Sequence, residues 1–197
     1  LVSVPTVFRD DEIVLMANDP YFYRFLVEQT LAAPKLSLSS FPTVVSRGEP
    51  LLVATLALVA TGAGGSQASV GLVLAWYPVV VTALTAVLVY AVANALTDDR
   101  RVALAAVLFL AVLPGHAVRT SLGFADHHAF DYLWVTLTLF GLVAVYRASS
   151  PVTRQPTVSN VVPVVAVGLG VAGSILAWEA GPLLIIPVGL LVAADAL

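Results

Sequence analysis

Long apolar stretches constrain the fold of this 197-residue chain more than any other feature. Five of them, at 70–96, 102–113 (continuing to about 118), 129–146, 161–178 and 180–194, have the pattern of membrane-spanning helices, which need about 20 mostly apolar residues. Charged residues make up 11% of the sequence, against about 25% in an ordinary soluble domain. The sequence therefore predicts an all-α, polytopic membrane helix bundle. It excludes a soluble enzyme, a disordered region, a basic nucleic-acid binder and, with no cysteine, a disulfide scaffold.

Two spans carry residues that predict their shape. The longest, 70–96, contains Pro78 near its start, which predicts a kink or tilt. The fourth contains Gly168, Gly170 and Gly173, small residues that suit close contact with another helix.

The first fifty residues differ from the rest, because they hold ten of the 21 charges. We expect residues 1–69 to form a large loop outside the hydrocarbon, followed by a five-span bundle over 70–197. Within the loop, β-like stretches at 2–8 and 13–15 precede a short helix at about 20–33, with Asp19 as its N-cap. The apolar stretch 51–63 reaches only about 20 Å as a helix, which predicts an interfacial or re-entrant segment.

The arginines predict the orientation in the membrane. Loops 97–101 and 147–160 lie on one side and hold Arg100, Arg101, Arg147 and Arg154, whereas the short loops on the other side hold only Arg119. Positively charged short loops are normally cytoplasmic. The segment 1–69 is therefore expected to be extracytoplasmic.

Two polar clusters, at 18–24 and 119–131, fall on this outer side. Asp126 and His128 offer a carboxylate oxygen and an imidazole nitrogen, a common ligand pair for Mn²⁺ or Zn²⁺. A third ligand must come from elsewhere, and Asp19 is on the correct side. Arg119 suits a substrate that carries phosphate.

A purely structural interpretation of these residues stays open. Asp19 and Asp126 would then be helix caps, and His127 and His128 interfacial residues. Asp131 argues against it, because a carboxylate inside a span costs up to about 3 kcal/mol. We expect Asp131 to face the bundle or a water-filled cavity.

The segments NDPYFYRFLVE and RTSLGFADHHAFD, with LAWEAGPLL further on, resemble the catalytic subunit of archaeal oligosaccharyltransferase. The acidic pI, near 5.4, and the preference for Arg over Lys suggest a haloarchaeal member. The resemblance implies a bundle of the C-type glycosyltransferase kind. It also implies an enzyme of protein N-glycosylation, which moves an oligosaccharide from a dolichyl phosphate carrier to Asn in Asn-x-Ser/Thr.

The resemblance also implies roles for individual residues. Asp19, Asp126 and His128 match the family's ligands for a divalent cation, Mn²⁺ or Mg²⁺, and Asp19 and Asp126 would be catalytic. Asp19 would also hydrogen-bond the acceptor amide, and Arg119 matches a residue near the lipid-linked phosphate. The implied location is the cell membrane, with the active site on the extracytoplasmic face. The partners are the bilayer, the lipid-linked oligosaccharide and the acceptor protein, with no nucleic acid and no obligatory partner subunit.

The sequence departs from the family at several points. Phe22-Tyr23 stands where archaeal members often carry Tyr-His, and Asp131 stands where Glu is common. A later external-loop Glu and the WWDYG motif of the C-terminal domain are absent from this sequence. Because the sequence starts at Leu1 and ends in an apolar run, we expect it to be an incomplete piece of the enzyme, without the first span.

Two other functions stay open at this point. One is another polytopic glycosyltransferase that uses a lipid-phosphate sugar. The other is a proton-coupled transporter with a relay of Asp131, His128 and Glu179. A relay would spread titratable groups through the membrane, whereas here nearly all of them fall on one face, which favours the enzyme.

Overall fold

The computed structural model describes residues 4–10, 12–32, 49–148 and 158–195. Its elements in chain order are α1 (Val4–Val7), β1 (Phe8–Arg9), β2 (Glu12–Ile13), α2 (Asn18–Ala32), α3 (Pro50–Gly62), α4 (Gln67–Thr97), α5 (Arg100–Val112), α6 (Pro114–Arg119), α7 (His127–Ala148), α8 (Val158–Ala177) and α9 (Gly181–Asp195). The predicted all-α class is confirmed. Arg154 and much of its loop lie outside the described residues.

Helices occur at all five of the predicted spans. Among the described residues, α4 and α7 have the length and hydropathy to cross a membrane, with mean hydropathies of 2.3 and 1.6. The other apolar helical stretches are shorter, over Pro50–Gly62, Val161–Ala177 and Gly181–Leu191. Pro78 lies inside α4. The second predicted span is divided at Pro114 into α5 and α6.

The N-terminal segment corrects one prediction. A β-like stretch was expected over 2–8, but Val4–Val7 is helical, and the strands are only Phe8–Arg9 and Glu12–Ile13, paired antiparallel. Pro5 at the second helical position suits a first helical turn, where a missing N–H costs nothing. Val2 lies outside the described residues.

The short helix α2 also differs slightly from expectation. It begins at Asn18, so Asp19 lies in its first turn rather than at the preceding cap position. A carboxylate there is still favourable, because it faces the positive end of the helix dipole. The difference moves Asp19 by one position and keeps it at the same end of the helix.

The main core joins α2, α3 and α4 to the first turn of α7. Its completely buried side chains include Val27, Leu52, Val53 and Leu74. Further along, α7 packs most extensively against α8 and next against α4. The core therefore fixes the start of α7 against segments that are distant in sequence.

Candidate metal centre

The start of α7 carries a compact cluster of three possible metal ligands. His127 and His128 are its first two residues, and Asp126 directly precedes them. His127 Nδ1 lies 2.8 Å from Asp126 Oδ1, and His128 Nε2 lies 3.4 Å from Asp126 Oδ2. One ligand atom from each residue lies within 4.8 Å of the others. Imidazole and carboxylate donors at this spacing suit a divalent transition-metal ion.

The loop before α7 holds Asp126 in place through bonds to two other parts of the chain. Gly123 has a φ of +80°, a conformation that glycine adopts without steric cost. Its N–H donates to Ala75 in α4 (2.9 Å), and its carbonyl accepts from Met16 N (3.0 Å). The hydroxyl of Tyr77 then donates to the carbonyl of Asp126 (2.8 Å). These bonds bring the segment before α2 and the start of α7 together.

Asp19 and Asp126 line the same cavity, although they are far apart in sequence. The cavity has a volume of about 290 Å³, and its lining residues are Asp19, Phe22, Tyr23, Glu49, Asp126, His127, Trp178 and Glu179. The charge of Asp19 also acts on His128. Asp19 and Asp126 thus line one cavity. The role of Asp19 as a metal ligand stays a prediction.

Arg119 lies at the edge of this site. It is the last residue of α6, it is exposed, and it is not one of the cavity-lining residues. Its charge nevertheless acts on His128. An exposed guanidinium near the cluster is free to bind an incoming anion, so its predicted contact with a phosphate stays a prediction.

Sequence reasoning missed two polar residues that the structure brings into the cluster. Tyr23 donates a hydrogen bond from its hydroxyl to Glu49 Oε2, and this hydroxyl lies 3.3 Å from His127 Nδ1. Glu49 Oε1 lies 3.4 Å from the same His127 nitrogen. Glu49 is 8% exposed. It precedes α3 in no recognisable motif, so only the fold reveals its place.

His127, expected as an interfacial residue under the structural interpretation, lies at the centre of the cluster. The indole of Trp178 stacks on its ring, with centroids 5.0 Å apart and planes 8° from parallel. Trp178 and Glu179 follow α8 and precede α9. The LAWEAGPLL segment therefore contributes a wall of the cavity.

Burial and neighbouring charges shift the pKa values of Asp126, Glu49 and Tyr23. Burial would raise the pKa of Asp126, but the hydrogen bond from His127 and the charges of both histidines outweigh it and lower that pKa. Burial raises the pKa of Glu49, against the lowering effects of the Tyr23 bond and the His127 charge. Burial also raises the pKa of Tyr23. Asp126 is therefore held as a carboxylate and Tyr23 as a neutral donor.

Asp131, one turn along α7, is buried in the bundle as expected, with 5% exposure. Its Oδ2 lies 3.8 Å from His127 Nε2. In the described part of the chain, His127 Nε2 and Asp131 Oδ1 are buried without a hydrogen-bond partner. Such atoms are costly to bury unless they bind something. The donor set and these two atoms fit a bound cation.

Comparisons with known proteins concern the chain as a whole. A family model described as "Oligosaccharyl transferase STT3, N-terminal" matches residues 3–195. A curated relative, Dolichyl-phosphooligosaccharide-protein glycotransferase 3 from Archaeoglobus fulgidus, is 28% identical over 184 residues. The alignment covers 85% of this chain and 20% of that relative, so the chain spans about a fifth of its length. No solved structure gave a significant match.

Proposed function

Because this chain belongs to the oligosaccharyl transferase STT3 family, we propose that it forms part of an enzyme of protein N-glycosylation. The enzyme moves an oligosaccharide from a dolichyl phosphate carrier to Asn in Asn-x-Ser/Thr. The Archaeoglobus relative carries the name of a dolichyl-phosphooligosaccharide-protein glycotransferase. We propose the same activity for the whole protein that contains this chain.

One observation carries the proposal. Asp19 and Asp126, from segments far apart in sequence, line a single cavity together with His127 and Trp178. Two separate helix-end carboxylates need not meet, so their convergence supports a shared task. The placement of these charges at one end of the helices also argues against a relay distributed through a membrane.

The residues that would hold a divalent cation, Mn²⁺ or Mg²⁺, are Asp19, Asp126 and His128. When bound, such an ion supplies Lewis acidity to the phosphate that leaves with the lipid. Arg119 would bind that phosphate through its guanidinium fork. These assignments rest on the donor types and their common end of the fold.

The chain's own carboxylates act on the acceptor. We assign to Asp19 the hydrogen bond from the acceptor amide N–H, which draws the amide nitrogen into the cavity and favours its attack on the anomeric carbon. A C–N bond then forms while the C–O bond between the anomeric carbon and the carrier phosphate breaks; the phosphate leaves with the lipid, and the proton released from the amide nitrogen passes to the Asp19 carboxylate. The aromatic rings of Phe22 and Trp178 line the same cavity.

The orientation in the membrane is part of the same proposal. The chain would cross the cell membrane several times, with the cavity on the extracytoplasmic face and the loop after α4 in the cytoplasm. The donor and the acceptor protein would enter from the outer side, and no obligatory partner subunit is needed.

The activity is tested with the purified full-length protein, a dolichyl-phosphate-linked oligosaccharide and a fluorescent peptide. A peptide with Asn-Ala-Thr should become glycosylated in the presence of Mn²⁺, and EDTA should stop the reaction. The matched peptide with Gln-Ala-Thr is the control. Equal transfer to both peptides, or a lipid-linked sugar moved to a small-molecule acceptor instead, would contradict the proposal.

The orientation is tested by cysteine labelling, since the chain has no native cysteine. Gln67→Cys and Asp99→Cys place one thiol near each end of α4. A membrane-impermeant maleimide added outside intact cells should label the first and spare the second. Labelling of position 99 from outside would overturn the orientation.

A further inference from the structure

We propose that Glu49 is a positioning residue that orients the Asp126 carboxylate through the ring of His127. This inference rests on the proposed function, because it concerns the use of Asp126 there. Neither Glu49 nor His127 belongs to the ligand set inferred from sequence. The argument depends on which oxygen of Asp126 is already bonded and which is free.

His127 engages one oxygen of Asp126 twice. Its backbone N–H donates to Asp126 Oδ1 at 2.7 Å, and its Nδ1 lies 2.8 Å from the same oxygen. The other oxygen, Oδ2, points toward His128 Nε2 at 3.4 Å. Two donors on Oδ1 fix the carboxylate plane and leave Oδ2 as the oxygen that faces the possible second ligand.

The orientation of the His127 ring is fixed in turn by its neighbours. Besides Asp126 Oδ1, its Nδ1 faces Glu49 Oε1 at 3.4 Å and the Tyr23 hydroxyl at 3.3 Å. Two carboxylates next to Nδ1 favour the tautomer that carries its proton there. The parallel Trp178 indole holds the plane of the ring.

Glu49 is held by contacts that suit this role. It is 8% exposed, and one of its oxygens accepts from the Tyr23 hydroxyl while the other faces His127. A buried carboxylate costs free energy unless it is paired, so packing alone gives no reason for a glutamate here. Partners that orient a ligand in this way commonly change metal affinity by about 10–100-fold when replaced.

The test measures Mn²⁺ affinity directly, by the electron paramagnetic resonance signal of free Mn²⁺ over the full-length protein. Glu49→Gln removes the charge and keeps the size, and it should weaken Mn²⁺ binding about 10–100-fold. Glu28→Gln is the matched control, because Glu28 pairs with Arg24 (2.9 Å) away from the cavity. The control should bind as the unmodified protein does.

A second pair of variants tests the path through His127. His127→Asn places an amide N–H near the position of Nδ1 and should retain part of the affinity, whereas His127→Leu should lose it. Thermal melts of each variant without metal establish that it is folded. If Glu49→Gln does not fold, Tyr23→Phe serves instead, since it removes a contact of the same glutamate.

The outcomes separate the inference from the proposed function. If the unmodified protein binds Mn²⁺ and transfers glycan, but Glu49→Gln and Glu28→Gln bind alike, the positioning role is wrong and the function stands. If the unmodified protein neither binds Mn²⁺ nor transfers glycan, both fail. Loss of affinity in Glu49→Gln with an unchanged melting temperature supports the positioning role.

Discussion

The first turn and the middle of α7 differ in where their partners come from. Its first turn, which carries His127 and Asp131, meets residues from far away in the sequence, such as Glu49 and Trp178. Its middle, around Thr138 and Gly141, packs against α8, the next helix in the chain. The first region is the candidate site and the second is a contact between neighbouring helices. The same helix thus carries a site built from segments that are distant in sequence and an interface with the next helix in the chain.

The middle region depends on how closely the two helices approach. A Cβ added at Gly170 would lie 2.7 Å from the backbone nitrogen of Thr138. The hydroxyls there are satisfied within their own helices, since Thr138 donates to Trp134 (2.9 Å) and Ser174 donates to Gly170 (2.9 Å). Such contacts between small residues are typical of helices packed in a membrane. They stabilise the bundle and require no charge.

The largest expected effect comes from removing the central carboxylate. Asp126→Ala should lower glycan transfer by about a thousandfold or more, because Lewis-acid stabilisation is worth several kcal/mol. It should also weaken Mn²⁺ binding, since His127 and His128 lose their shared partner. The measurement is kcat/KM with a sequon peptide, together with the Mn²⁺ titration.

Asp98→Ala is the control for that change. Asp98, in the loop after α4, is an exposed carboxylate that pairs with Arg147 (3.3 Å). An exposed pair contributes about 0–1 kcal/mol, so transfer should be unchanged. If Asp126→Ala retained full activity, the first turn of α7 would be structural like the middle, and the comparison between the two regions would collapse.

The helix interface should respond in stability rather than chemistry. Gly170→Ala forces a Cβ against the Thr138 backbone and should destabilise the protein by about 1–3 kcal/mol. Gly168→Ala, two residues earlier, meets nothing within 4 Å, and it should be neutral or stabilising by about 0.5–1 kcal/mol. Thermal unfolding in detergent compares the two. Equal melting temperatures would show that α8 does not approach α7 as closely as described.

This glycine pair also shows how far sequence reasoning reached in the helices. The pattern predicted close contact at Gly168, Gly170 and Gly173. The structure confirms Gly170, against Thr138, and Gly173, against Trp134, but Gly168 faces open space. A small residue permits close approach without requiring it. Helix periodicity and length predicted the spans, whereas the face of α8 that meets α7 depends on packing.

The candidate site was predictable to a different extent. Asp126 and His128 stand close together in sequence at the start of one helix, so local spacing was enough to propose them as a pair. Asp19 was added because it lies on the same side, and it indeed lines the same cavity. Glu49 carries no such signal, and Tyr23 lies in the 18–24 cluster without any pattern that links it to His127. They reach His127 only because α2 and α3 pack on the start of α7, which is a property of the tertiary fold.

The smallest expected effect belongs to Arg119, at the boundary between the site and the surface. Arg119→Lys keeps the positive charge and loses the two-pronged fork, so it should lower kcat/KM for the lipid-linked donor by about fivefold, or roughly 1 kcal/mol. The Mn²⁺ affinity should stay the same, because the variant keeps the positive charge that acts on His128. Arg147→Lys, in the last turn of α7, is the control and should leave donor use unchanged.

This last measurement asks how far the region of chemistry extends from the first turn of α7. A selective rise in the donor KM would mean that this region includes the end of α6. The exposed guanidinium there would contact a phosphate at the surface while the cavity holds the sugar and the acceptor. Unchanged kinetics would assign Arg119 to loop structure and confine the chemistry to the cavity lining. A rise in Mn²⁺ affinity would instead mean that the lysine charge lies farther from His128 than the guanidinium does, since a cation near that ring opposes a second positive charge.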